Sequence, residues 1–341
     1  MPQRGVDEVK IRWGILGCAG IAGRSVIPAI ARSETGKLGA IASRNGKRAQ
    51  EFAERFGFPQ YYGSYHEMLA DADIDAIYIP LPNHMHKEWT IRAAEAGKHV
   101  LCEKPLALTA DEAREMGIAC EGSGVLLAEA FMYRYHPRYD RVRAIIASGE
   151  IGEIRGIQGV FTFNNADDLA NFRFKPGMGG GALYDVGCYP INAARLLLGS
   201  EPVAASAVAQ YSERHGGVDM QFSGLLEFDK DIALTFQCGM WTAFRNSLEI
   251  AGSAGRIDIP YAFTYRDPAN AHIYIETAGD RREETVPQVN AYTEQIDHIG
   301  RCLLEGTPLR FPAADAVANM RAIDACLSAA GRRERVLIPP E

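Results

Sequence analysis

Ile11-Arg12-Trp13-Gly14-Ile15-Leu16-Gly17-Cys18-Ala19-Gly20-Ile21-Ala22-Gly23 is the stretch whose reading decides the fold. Ile11 to Leu16 reads as a strand and Gly20 to Arg32 as a helix, joined by a tight small-residue turn. Gly17 permits the turn, Ala19 is small enough for the backbone to approach a pyrophosphate, and Ala22 allows the helix to pack closely on the strand. Amides at the helix start, near Gly20 and Ile21, would face the phosphates together with the positive end of the helix dipole. This is a dinucleotide fingerprint with Ala in place of its second glycine.

Outward from that turn, the next strand, Leu38 to Ser43, tests which dinucleotide fits. An NAD site places a carboxylate there for the ribose 2′-hydroxyl. Here the strand ends Ala42-Ser43-Arg44-Asn45, followed by Lys47 and Arg48. A hydroxyl and guanidinium groups suit a 2′-phosphate, so Ser43, Arg44 and Arg48 favour NADP, with NAD the alternative.

The same rhythm continues. Ile74 to Pro80, His99 to Cys102 and Val125 to Glu129 read as strands, separated by helices near 84–96 and 109–122. Strands spaced by such helices imply right-handed crossovers and a doubly wound parallel sheet. After Phe131 the pattern changes. A helix over 138–147 leads to the strand Ile154 to Phe163, a Gly-rich loop, and a helix around Ala182 to Leu198. Strand-like runs follow at 203–211, 220–228, 232–238, 247–251 and 273–276, as in a largely antiparallel sheet, before two closing helices near 291–304 and 313–330. The fold expected is α/β: a Rossmann domain over 1–131 and an α+β domain with an open mixed sheet over 132–341.

Composition sets the broad class. With 47% hydrophobic and 23% charged residues in 341, the chain can bury two sizeable cores. Its net charge of −7 is spread along the sequence, with no basic block to favour nucleic acid or a membrane surface. Met1 to Lys10 is polar and no run is long and apolar enough for a membrane span. Seven scattered cysteines without a Cys-x-x-Cys pair read as reduced core thiols, and the expected location is the cytoplasm. His84 and His86 lack an accompanying thiol or carboxylate cluster, so no metal site is expected.

Two further motifs carry chemistry. Glu103-Lys104-Pro105 leaves the apolar run His99 to Cys102, which puts a lysine at the carboxyl edge of a parallel strand, where such sheets bind ligands. Gly179-Gly180-Gly181 precedes Asp185 and Tyr189, four residues apart and hence on one face of a helix. Pro190 predicts a kink or an irregular first turn there.

Together, Gly17-Cys18-Ala19-Gly20-Ile21-Ala22, Pro82-Asn83-His84-Met85-His86, Ala96 to Pro105 and Gly179 to Pro190 resemble the Gfo/Idh/MocA oxidoreductase family. The likeness spans essentially the whole chain. Ala128 to Arg134 and the position of Arg44 make it most similar to the branch of dimeric dihydrodiol dehydrogenases and NADP-dependent D-xylose 1-dehydrogenases. The resemblance implies an active site between the two domains, with Lys104, Asp185 and Tyr189 around the nicotinamide. Tyr189 would exchange the proton of a reacting hydroxyl, Lys104 would favour its tyrosinate, and Asp185 would orient a sugar or polyol. Glu103 would contact the nicotinamide ribose, and the loop of Pro82, Asn83 and His86 would line the cofactor. Arg134 would reach the substrate cleft or form a salt bridge, while Phe172 and Phe174 would wall the sugar site or simply pack.

The activity implied is reversible hydride transfer between a nicotinamide and a sugar or diol carbon. Reduction of a keto-sugar is the alternative, and a non-catalytic NADP sensor is a third reading. A strand-rich second domain with one open face needs a partner there, with apolar runs such as Ile232 to Phe236 contributing, and the resemblance implies a homodimer or homotetramer through that sheet.

Overall fold

The computed structural model describes residues 9–264 and 270–340; most of the polar start, Met1 to Lys10, lies outside the described residues. Among these residues the strands form two sheets. The first has six parallel strands: β1 (Ile11–Leu16), β2 (Gly36–Ala42), β3 (Gln60–Tyr62), β4 (Ala76–Ile79), β5 (His99–Cys102) and β6 (Leu127–Glu129), in the order β3-β2-β1-β4-β5-β6. Strand order reverses between β1 and β4, which opens a crevice at their carboxyl ends. Side chains alternate between two apolar layers. Ile77 and Ile79 enter one core with Trp89 and Val100, while Trp13, Ile15 and Tyr78 enter the other with Ile27 and Leu101. Burial of both faces explains why these strands read as continuous apolar runs.

Helices α1 (Ile27–Arg32), α2 (Gly46–Phe56), α3 (Tyr65–Leu69), α4 (His86–Glu95) and α5 (Ala110–Gly122) connect the strands. The expected helix from Gly20 is present, but its stretch Ala22–Val26 is π-helical before α1 begins. Asn45 accepts from the Arg48 amide at 3.2 Å and Thr109 from that of Glu112 at 3.2 Å, capping α2 and α5.

After α6 (Pro137–Ala147) comes a mixed nine-stranded sheet: β7 (Ile154–Asn164), β8 (Ala204–Ser212), β9 (Val218–Glu227), β10 (Ala233–Gly239), β11 (Trp241–Gly252), β12 (Gly255–Pro260), β13 (His272–Thr277), β14 (Asp280–Thr285) and β15 (Val336–Leu337). β7 and β10 pair in parallel and their other neighbours are antiparallel. α7 (Cys188–Leu198) and α9 (Ala313–Arg332) bury Ile191, Met320 and Ile323 in one core with Leu226, Leu234 and Phe236 of the sheet. α8 (Ala291–Glu305) crosses back to the first sheet, where Ile296 and Ile299 join Ile11 and Trp13. Asp297 fixes it there, accepting from the amides of Glu34 (2.9 Å) and Thr35 (3.1 Å).

Two expectations change. Leu234 and Phe236 point into the core, so the run Ile232 to Phe236 does not furnish an open apolar face. Exposed apolar groups on this sheet are instead Val208, Tyr211, Phe244 and Leu337. β12 and β14 were not expected as strands, and β11 begins six residues before the predicted start.

Candidate active site

A cleft of about 1280 Å3 runs along the carboxyl edge of the first sheet and under the helix that carries Tyr189. One end is the cradle of Gly17, Ala19, Gly20 and Ile21. Gly17 has φ +109°, and a Cβ there would lie 3.0 Å from Leu81, so only glycine keeps this turn both unstrained and open. Ala22 is fully buried and packs the helix on the sheet, as its size suggests. The small lining and the open backbone fit a dinucleotide pyrophosphate.

Ser43, Arg44 and Arg48 line the cleft beside this cradle. Arg48 also braces the turn, donating from Nη2 to the Cys18 carbonyl at 2.8 Å. Ser43 is buried and its hydroxyl accepts from the Asn45 amide at 3.2 Å, so it shapes the strand end as well as lining it. Among the described residues no carboxylate lines this part of the cleft. Pro82 and Asn83 also line it, and Asn83 donates from Nδ2 to the Gly179 carbonyl at 2.8 Å, tying the two halves together.

At the other end stand Glu103, Lys104, Asp185 and Tyr189. Lys104 donates from Nζ to the Asp185 carbonyl at 2.6 Å, lies 3.6 Å from the Asp185 carboxylate, and sits 5.0 Å from the centre of the Tyr189 ring. The irregular turn expected near Pro190 is a π-helical turn, Leu183–Gly187, leading into α7. Gly159 of β7 lets that helix close on the sheet, since a Cβ there would be 2.5 Å from Pro190. Tyr189 is thereby wedged among Phe131, Phe161 and Phe263, with ring centres 5.2–5.6 Å apart.

The charges are unequal in their effects. Burial alone would raise the Asp185 carboxyl, but Arg173, 2.7 Å away, and Lys104 outweigh it and hold the group below the usual carboxylate range. Glu103 is pushed up by burial despite the neighbouring Lys104, and it accepts from the Tyr78 hydroxyl at 2.5 Å. Burial, with Tyr292, Cys188 and the acids Glu103 and Asp185 nearby, raises Tyr189 well above its ordinary value. Burial thus works against the ammonium of Lys104, which stands 5.0 Å from the Tyr189 ring centre.

Other expected residues lie elsewhere. Arg134 is not at the cleft: it is almost fully buried, paired with Asp315, and stacked 4.0 Å from the Phe311 ring centre. His86 is buried too, its ring nitrogens 3.0 Å from the Pro105 carbonyl and 2.8 Å from that of Leu81, so it braces the Glu-Lys-Pro loop from behind. His84 does not line the cleft. Phe172 does, whereas Phe174 is buried edge-on against His215 at 4.8 Å. Among the described residues no cluster could hold a metal ion.

Arg173 also lines the cleft, against Asp185, and no spacing in the sequence marks it. Tyr292 on α8 also lines the cleft from 103 residues beyond Tyr189. No local signal marks it.

Comparison with known proteins accords with this geometry. Residues 11–131 match the NAD-binding Rossmann fold of the oxidoreductase family, and residues 139–258 match the GFO/IDH/MocA C-terminal domain. The chain belongs to the Gfo/Idh/MocA oxidoreductase family. Similar Gfo/Idh/MocA relatives include D-xylose 1-dehydrogenase (NADP(+)) 2 of Haloferax volcanii, 38% identical over 93% of this chain and 97% of that protein. Among solved structures, the aldose-aldose oxidoreductase of Caulobacter crescentus, complexed with glycerol, superposes with a TM-score of 0.90 at 28% identity, covering 96% of this chain and 99% of the other. A 3-ketoreductase from Actinomadura kijaniata in complex with NADP and TDP-benzene superposes with a TM-score of 0.88 at 34% identity, covering 94% and 98%.

Proposed function

We propose that this protein is an NADP-dependent oxidoreductase that moves a hydride between nicotinamide and a sugar or diol carbon. The observation that carries this reading is the convergence of Lys104, Asp185, Arg173 and Tyr189 on one cleft that ends in the Gly17–Ile21 cradle. Gly17, Ala19, Gly20 and Ile21 would receive the pyrophosphate, and Ser43, Arg44 and Arg48 the 2′-phosphate. Two relatives support the choice, being named for NADP(+) and complexed with NADP. NAD remains the alternative carrier. The bound cofactor supplies one thing, a nicotinamide carbon that gives or takes hydride.

The chain's own groups manage the proton and the geometry. In reduction, the Tyr189 hydroxyl donates its proton to the oxygen of the carbonyl being reduced; in oxidation it recovers one from the alcohol. Lys104 points an ammonium at the same oxygen and stabilises charge that develops there. Asp185, kept ionised by Arg173 and Lys104, accepts hydrogen bonds from substrate hydroxyls and fixes which carbon faces the cofactor. Glu103 lines the wall beside them and would accept from a cofactor ribose hydroxyl, while Phe172 would offer an apolar face to the sugar ring.

Reduction of a keto-sugar is a second reading within the same chemistry, supported by the likeness to a 3-ketoreductase. We further place the working division near residue 131, with residues 132–341 binding substrate and joining two or four copies through the open sheet face at Val208 and Tyr211. Seven free, buried cysteines support a reducing compartment such as the cytoplasm. Absorbance at 340 nm should change when the enzyme meets NADP(H) and members of a panel of aldoses, diols and keto-sugars. No change across the panel with either NADP(H) or NAD(H) would overturn the reading.

A further inference from the structure

We propose that Asp219 is a positioning residue for the hydride transfer proposed above: from β9 its carboxylate clamps the turn Gly181-Ala182-Leu183 and so aims Asp185 and Tyr189 into the cleft. Asp219 is 4% exposed and accepts from the Leu183 amide at 2.8 Å across 36 residues of sequence. The amides of Ala182 and of Asp219 itself also favour its ionised form, though less than burial opposes it. Leu183 opens the π-helical turn, and the Gly181 carbonyl accepts from the Asp185 amide at 3.1 Å, so the clamp is one hydrogen bond away from the substrate-facing acid. Lys104 holds the same turn from the opposite side through the Asp185 carbonyl.

Gly181 is shaped for this contact. Its φ is +121°, and a Cβ there would lie 2.0 Å from the Asp219 carboxylate. A side chain would therefore push the clamp aside as well as strain the backbone. The arrangement is costly for the fold. Among the described residues no cation pairs with Asp219, and burial pushes its carboxyl up to about 7. A helix start needs only a local Ser, Thr, Asn or Asp to satisfy its amides. Here a buried acid from another strand performs that task at the one helix that carries Tyr189, and no charged partner offsets its burial.

The test uses the full-length enzyme and a substrate found active in the absorbance screen. Asp219→Asn keeps the volume but replaces one acceptor oxygen with an NH2 that cannot accept from the backbone N–H donors. We expect kcat to fall about 10- to 100-fold, as for a catalytic group displaced by a fraction of an ångström. The Kd for NADPH should stay within about twofold, since Asp219 does not line the cleft. The kinetic isotope effect from C4-deuterated NADPH should rise as hydride transfer becomes limiting. Gly181→Ala should reproduce the same pattern from the other side, and it decides the matter if the Asn variant does not fold. Unchanged kcat in a folded variant overturns the proposal. So does a loss of kcat matched by an equal loss of NADPH affinity with no rise in the isotope effect, which marks general destabilisation. Absence of turnover in the unmodified enzyme would instead defeat the functional reading.

Discussion

Replacing Arg173 with Met should expose how much the ion cluster contributes to both activity and stability. Asp185 lies between two cations, with Arg173 Nε 2.7 Å and Lys104 Nζ 3.6 Å from its oxygens. Its side chain is 12% exposed and that of Lys104 13%, but Arg173 is 33% exposed. Removing one partner of a fully buried pair costs about 3–5 kcal/mol. Solvent reaching Arg173 screens part of this, so about 1–3 kcal/mol is the expected loss. The carboxyl of Asp185 is depressed in the folded state, so its contribution is present above the unfolded value and disappears as pH falls through the folded value. Without Arg173 that folded value rises, so turnover should begin to fail at higher pH than in the parent, while the stability deficit of the variant should be largest at neutral pH and shrink in acid. Urea titrations at pH 7 and pH 5, with a kcat profile over the same range, read both effects. Equal unfolding midpoints together with an unmoved acid limb would refute the ion-cluster argument.

The other predictions are more local. Arg44→Asp should weaken NADP binding by about 2–3 kcal/mol, the loss of a charge-assisted contact to phosphate, while improving NAD; calorimetry that shows unchanged NADP affinity removes Arg44 from the site. Burial pushes His86 down to about 4, even though two carbonyls face its ring, so the native state resists a proton that the unfolded chain accepts near 6.5. Stability should therefore fall as pH drops from about 6.5 towards 4, by at most about 3 kcal/mol from this residue. His86→Gln should flatten that slope in thermal melts; a slope identical to the parent's would assign the acid sensitivity elsewhere, with His136, also lowered to about 4, the next residue to test.

The legible parts of the molecule were those whose physics is local. Gly17 and the small residues after it marked the cradle because a turn of that kind needs positive φ and no bulk. Strands such as β4 and β5 were readable because both faces are buried, which leaves almost nothing but apolar residues. β14, Asp280–Thr285, was not, because its exposed strand is held by pairs such as Glu284 with Arg141 of α6 and carries no apolar alternation. Pro190 announced the irregular turn before α7, since it has no amide to give.

Arg134 and His86 misled for a common reason. Each is a chemically versatile residue beside a real motif, but the partners that bury it come from elsewhere: Asp315 from 181 residues away, and the Pro105 carbonyl from 19. Arg173 was passed over for the converse reason. Nothing in Phe172-Arg173-Phe174 shows that the arginine reaches Asp185. The aromatic pair also divides, with one ring at the cleft and the other in the core.

Lys104→Ala and Tyr189→Phe, each measured for NADPH affinity by titration calorimetry and for turnover at 340 nm, test the central claim most directly. Deleting the exchangeable proton should cost about 100-fold or more in kcat, and removing the ammonium a comparable amount. If the two groups act as one unit, the double variant will be little worse than the poorer single one. NADPH affinity should survive in all three. Near-normal turnover and an unchanged pH profile for Tyr189→Phe would contradict the account, because the proton would then be moving through some other group.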